Sequence, residues 1–129
     1  MNRQASQFNQ MAGALIAIDL AHQYLGHYSR HAGELPADGD VPLPVNALIT
    51  EQEWREAVLR GAQNALACGL GIEGLKTLFE CFDQMPNRPA WSVYFVHSKA
   101  KLSRINAELK KLERDFFAMD QQMQKFGGR

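Results

Sequence analysis

The stretch WSVYFVHSKAKLSRINAELKKLERDFFAMDQQMQKF, residues 91–126, decides the fold of this chain. Positions spaced alternately by four and three residues are Trp91, Phe95, Ser98, Leu102, Ile105, Leu109, Leu112, Phe116, Met119, Met123 and Phe126, and Ser98 alone among them is polar. An apolar repeat sustained over about five heptads predicts a long helix carrying a coiled-coil stripe. At 1.5 Å per residue such a helix is a rod of roughly 54 Å. A domain of this size has a diameter of roughly 36 Å. The rod is therefore expected to project from the body or to lie along a partner. Trp91, Val93, Tyr94, Phe95 and Val96 are apolar on every side, so the start of the helix is expected inside the body.

The charges flanking the stripe bear on how two copies would pair. With Phe95 at heptad position a, a parallel dimer sets Glu108 against Glu113 and Asp115 against Asp120, which repels. An antiparallel pair opposes Lys99 with Asp120 and Asn106 with Glu113. The expectation is a homodimer through antiparallel long helices, with Leu102, Ile105, Leu109, Leu112, Phe116, Met119 and Met123 as its seam. Alternatively the first helix of the same chain covers part of the stripe. Phe117 falls beside the seam and is expected to touch that first helix in a second subunit, or an outside partner.

Working back from the rod, three shorter helices are predicted. The first spans residues 5–28 with the stripe Phe8, Met11, Leu15, Ile18, His22 and Leu25, and Ala12, Gly13, Ala14 and Ala17 allow close approach. Residues 31–48 carry Gly33, Pro36, Gly39, Pro42 and Pro44, punctuation that excludes a helix. That length makes the segment a candidate functional loop, and Val41, Leu43 and Val45 suit a short extended piece. The second helix, residues 50–68, opens on the capping box Thr50-Glu51-Gln52-Glu53 with Ile49 and Trp54 as a hydrophobic staple, and Gly69 stops it. The third, residues 72–84, aligns Ile72, Leu75, Phe79 and Phe82 on one face. The long helix then occupies residues 89–126, with Pro89 at its first turn. The chain reads as one all-α domain, a helical bundle with a long coiled-coil-like C-terminal helix.

Composition narrows the function. Fourteen basic and fourteen acidic side chains leave a formal net charge of zero in a chain of 129 residues. Such a chain has no global field to attract DNA or an anionic membrane. The apolar run at residues 11–21 is broken by Asp19 and is not read as a signal segment. No run approaches the roughly 18 apolar residues of a membrane span. Cys68 and Cys81, outside any C-x-x-C pair, read as reduced core thiols of a cytoplasmic protein.

Chemistry-bearing patterns are sparse. His27 and His31 have the four-residue spacing of a two-histidine metal site, with His22, Asp38 and Asp40 as further potential ligands. The same spacing fits a solvated helix end, the preferred reading, so no metal or other cofactor is assigned. His22 is either half of an acid–base pair with Asp19 or a core histidine bonded to a neighbour. Gly69-Leu70-Gly71 with Gly74 joins two helices and reads as a helix stop and a corner rather than a phosphate loop. No nucleophile motif is present, and no catalytic residue is assigned. A small-ligand site around Trp54, Trp91 and Tyr94 is a minor alternative.

The segment Gly69-Leu70-Gly71-Ile72-Glu73-Gly74-Leu75-Lys76-Thr77-Leu78-Phe79, followed by the long helix, resembles the short-helix motif and dimerisation helix of the MerR-type transcription regulators over residues 50–126. That resemblance implies an antiparallel dimer and DNA binding, with Arg30, Arg55 and Arg60 as the first DNA contacts to consider. The N-terminal half departs from the family: its first helix is continuous and nearly uncharged, and Asp38 and Asp40 stand where the family's basic wing would be. The favoured expectation is a non-enzymatic interaction or adaptor protein that acts as a homodimer and binds another protein. A MerR-like DNA-binding regulator is the alternative.

Overall fold

The computed structural model describes residues 3–32 and 48–126. Among them are six α-helices, one 3-10 turn and no strand. The helices are α1 (Arg3–Tyr24), α2 (His27–Ala32), α3 (Glu51–Ala67), α4 (Glu73–Gln84), α5 (Val93–Val96) and α6 (Lys99–Phe126), with the 3-10 turn at Ala90–Ser92. The all-α class and the long C-terminal helix stand as expected. Most of the predicted irregular segment 31–48, including Asp38, Asp40, Val41, Leu43 and Val45, lies outside the described residues. Residues 31 and 32 belong to α2.

Two predicted helices are each divided, and both breaks have a local cause. The first stops at Tyr24 because Gly26 adopts φ 76°, and Arg30 N–H then bonds Gly26 C=O at 2.9 Å to begin a new helix. Positive φ is open to glycine and costly for other residues. The long helix is interrupted at His97 and Ser98. Ser98 Oγ accepts from Lys101 N–H at 3.2 Å, which is the geometry of an N-cap. The one polar position in the seam is thus the residue that starts α6. Pro89 precedes the 3-10 turn rather than entering a helix. The continuous part, α6, spans 28 residues, or about 42 Å.

The start of α3 is as read. Thr50 accepts from Glu53 N–H, the Glu53 carboxylate accepts from Thr50 N–H, and the staple residues Ile49 and Trp54 are both buried. At the other end Gly69, φ 83°, sends its N–H to Leu66 C=O, and Leu70 N–H bonds Ala65 C=O. These two bonds make a Schellman stop.

α1 packs on α3 and α4, α3 packs on α6, and α5 sits against α4 and α6. The crossings are close. A Cβ on Gly61 would lie 3.2 Å from the Ala17 carbonyl, and one on Gly74 would lie 2.5 Å from the Gln10 carbonyl oxygen. This contact selects the small-residue face of α1, so Ala14, Ile18, Ala21 and His22 turn inward. Phe8 and Leu15, expected in the buried stripe, are exposed, as are Ile16, Leu20 and Tyr24. The core continues through Trp54, Val58, Leu75, Phe79, Phe82, Phe95, Ile105 and Leu109. Cys68 is exposed at the end of α3 and Cys81 is half-buried, both free, so Cys68 is no core thiol. No helix among the described residues is long and apolar enough to cross a membrane.

Candidate functional site: a buried histidine and carboxylate cluster

The Gly26 corner folds α2 back on α1 and α3 and brings His22, His27, His31 and Glu53 into the interior. All four are buried. His27 and His31 therefore do not form a solvated helix end. Their metal-like spacing is also divided between two partners: His27 meets His22, and His31 meets Glu53. Among the described residues no group of three or more His, Cys, Asp or Glu side chains is placed to hold a metal ion.

Glu53 is a junction. Its Oε1 accepts from Thr50 N–H at 3.0 Å and from the Thr50 hydroxyl at 3.2 Å, and it lies 2.6 Å from His31 Nε2. Its Oε2 accepts from Arg30 at 2.7 Å. One carboxylate thus closes the cap of α3 and pins the end of α2 to it. Burial pushes the carboxyl pKa up, but the Thr50 N–H, the His31 ring with its charge and the Thr50 hydroxyl outweigh burial and bring it down to about 2. The helix N-terminus is a favourable place for that negative charge.

His22 Nδ1 and His27 Nδ1 stand 2.8 Å apart, with both residues 0% exposed. At that separation one ring donates its N–H to the lone pair of the other. Both Nε2 atoms are buried without a hydrogen-bond partner. The nearest anion to His27 Nε2 is Glu56 Oε2 at 3.8 Å, on a side chain 44% exposed. Burial, then the neighbouring His27, lower the His22 pKa to about 4 against the pull of Asp19 and Glu53. His22 is thus a core histidine bonded to a neighbour, and the neighbour is His27. Asp19 is exposed, accepting from Tyr28 Oη at 2.6 Å and from Gln23 at 3.0 Å. Burial, with the bond to Asp19 and its charge, raises the Tyr28 pKa.

An aromatic column leads from the pair into the core. The Trp54 ring stands edge-on to His22 with centroids 4.3 Å apart. Trp54 stacks on Trp91 at 4.3 Å and 5°. Trp91 meets Phe82 and Phe95 at near right angles. The Trp54–Trp91 region is packed core of this kind, with Tyr94 half-buried beside it.

The predicted seam of α6 divides in two. Ile105 and Leu109 are 1% and 0% exposed within the chain, and Leu102, Leu112 and Phe116 pack partly against the core. Within the chain α3, with α5 and α4, packs on α6, where the alternative reading had the first helix covering part of the stripe. Met119 and Met123 are 64% and 68% exposed, and Phe117 is 50% exposed. The arginines considered for DNA are each engaged: Arg30 by Glu53, Arg55 by Glu108, and Arg60 over the Tyr24 ring at 5.4 Å.

Comparison with family models, curated proteins and solved structures finds no match. The cluster was legible only in pieces. His22 stood out as the polar member of an apolar stripe and Glu53 as half of a capping box. Their meeting depends on the turn at Gly26, whose glycine was the available signal.

Proposed function

We propose that this chain is a non-enzymatic helical interaction protein that acts as a homodimer through the distal half of α6. The supporting observation is that the apolar stripe runs on past the body, leaving Met119 and Met123 largely in water with Phe117 half-exposed beside them. A parallel arrangement of that half sets Asp115 against Asp120, so the two helices run antiparallel. Ile105 and Leu109 belong to each subunit's own core rather than to the interface. Light scattering on the full chain at micromolar concentration is expected to give twice the chain mass. Met119→Glu with Met123→Glu is expected to give a folded monomer, since charges at a seam oppose its burial. A monomeric mass for the unmodified chain overturns the reading. Leu109→Glu, in contrast, should unfold the subunit.

A further inference from the structure

We propose that the His22–His27 pair is a proton-operated latch: with one proton between its two Nδ1 atoms the pair holds the α1–α2 corner closed, and a second proton drives the His27 ring out toward Glu56 and opens it. The argument begins with the 2.8 Å contact. It needs one N–H and one lone pair. A proton added to the accepting Nδ1 sets N–H against N–H and turns attraction into repulsion.

The other open lone pair is the donating ring's Nε2, and protonation there fares no better while the rings stay buried. Neither Nε2 atom has a partner, and a buried charge without one is strongly disfavoured. The charged groups around the pair set the direction of escape. On α1, Asp19 is held by Tyr28 and Gln23. On α2, Arg30 and His31 are held by Glu53 of α3. Trp54 and, behind it, Trp91 are uncharged. Glu56 remains, 3.8 Å from His27 Nε2 and half in water. A shallow surface depression lined by Leu25, Glu56, Leu59, Arg60 and Gln63 lies at that edge and gives the ring somewhere to go.

The far end of α2 behaves in the opposite sense. A proton on His31 strengthens its bond to the Glu53 carboxylate, so acid loosens the corner and tightens the anchor. The movement is a swing of residues 25–28 about Glu53, short of detachment of α2. The lowered proton affinity of buried His22 agrees with a pair that stays closed at neutral pH.

Hydrogen exchange on the full chain tests this through the amides of Leu25 and Arg30, which bond Ala21 C=O and Gly26 C=O. Between pH 6 and pH 5 their protection is expected to fall about tenfold more than that of the α4 amides, which follow the global stability alone. Protection that is level from pH 7 to 5, or that falls only together with α4, overturns the proposal. Glu56→Gln, at an exposed site that tolerates change, should move corner opening to lower pH by about half a unit. An unchanged midpoint rejects the swing toward Glu56. His27→Gln keeps one hydrogen bond to His22 and cannot take up the proton. It should leave the corner amides losing protection only in step with α4, and corner opening ahead of α4 in the folded variant counts against the latch.

Discussion

Glu53 carries more than its place in a capping box requires. Removing the Thr50 side chain costs the cap alone, so Thr50→Ala should lower stability by about 1 kcal/mol. Glu53→Ala also removes the acceptor of the Thr50 N–H and the 2.6 Å contact to His31. It should cost about 3 kcal/mol, read from urea unfolding at neutral pH. The two shifted groups also fix how stability depends on pH. The His22 pKa falls from 6.5 unfolded to about 4 folded, so the unfolded chain binds the proton more tightly. Stability is therefore full above pH 6.5 and declines as pH falls toward 4. The Glu53 pKa falls from 4.5 to about 2, which adds a second decline below pH 4.5. Urea midpoints measured from pH 7 to pH 3 should trace both. A midpoint that rises on acidification from pH 7 to pH 5 contradicts the His22 assignment.

At the scale of elements, the closest approach is α1 over α4. The Cβ of Gly74→Ala would sit 2.5 Å from the Gln10 carbonyl, so two helices must separate. The expected cost is about 2 kcal/mol. Gly71, three residues before Gly74, would meet nothing closer than 3.9 Å, and Gly71→Ala should be nearly silent in the same urea titration. The helices themselves were legible because periodicity and caps are local: Thr50, Glu53 and Gly69 each act on their own neighbours. The breaks at Gly26 and Ser98 were legible only as exceptions, a glycine directly after the last stripe position of the first helix and the one polar position of the long seam. The rotation of α1 was hidden for a different reason. Periodicity ranks Phe8 and Leu15 by hydrophobicity, but the crossings at Gly61 and Gly74 reward small side chains. For the same reason the histidine cluster could not be assembled from spacing alone, since a single φ at Gly26 decides whether His22 and His27 meet.

For the whole molecule, the zero net charge and the engaged Arg30, Arg55 and Arg60 bear on the MerR-like alternative. Duplex DNA should not bind tightly at physiological salt, because a chain with no net positive charge has little drive to displace condensed counterions. A salt-sensitive gel shift at nanomolar protein would favour the DNA-binding reading instead. Phe117 separates two forms of the interaction reading. Phe117→Ser should lower both dimer mass and stability if the ring belongs to the homodimer contact. Retention of both, with loss of a bound protein, places a second partner there.

The stacked indoles have a practical corollary. Trp54 and Trp91 are the only tryptophans in the chain, and they form one stack with Trp54 edge-on to His22. An imidazolium beside an excited indole draws electron density from it and dims its emission. The protein's tryptophan fluorescence therefore arises from a single stack placed against the proton-binding pair, so the molecule carries its own optical pH probe without any label.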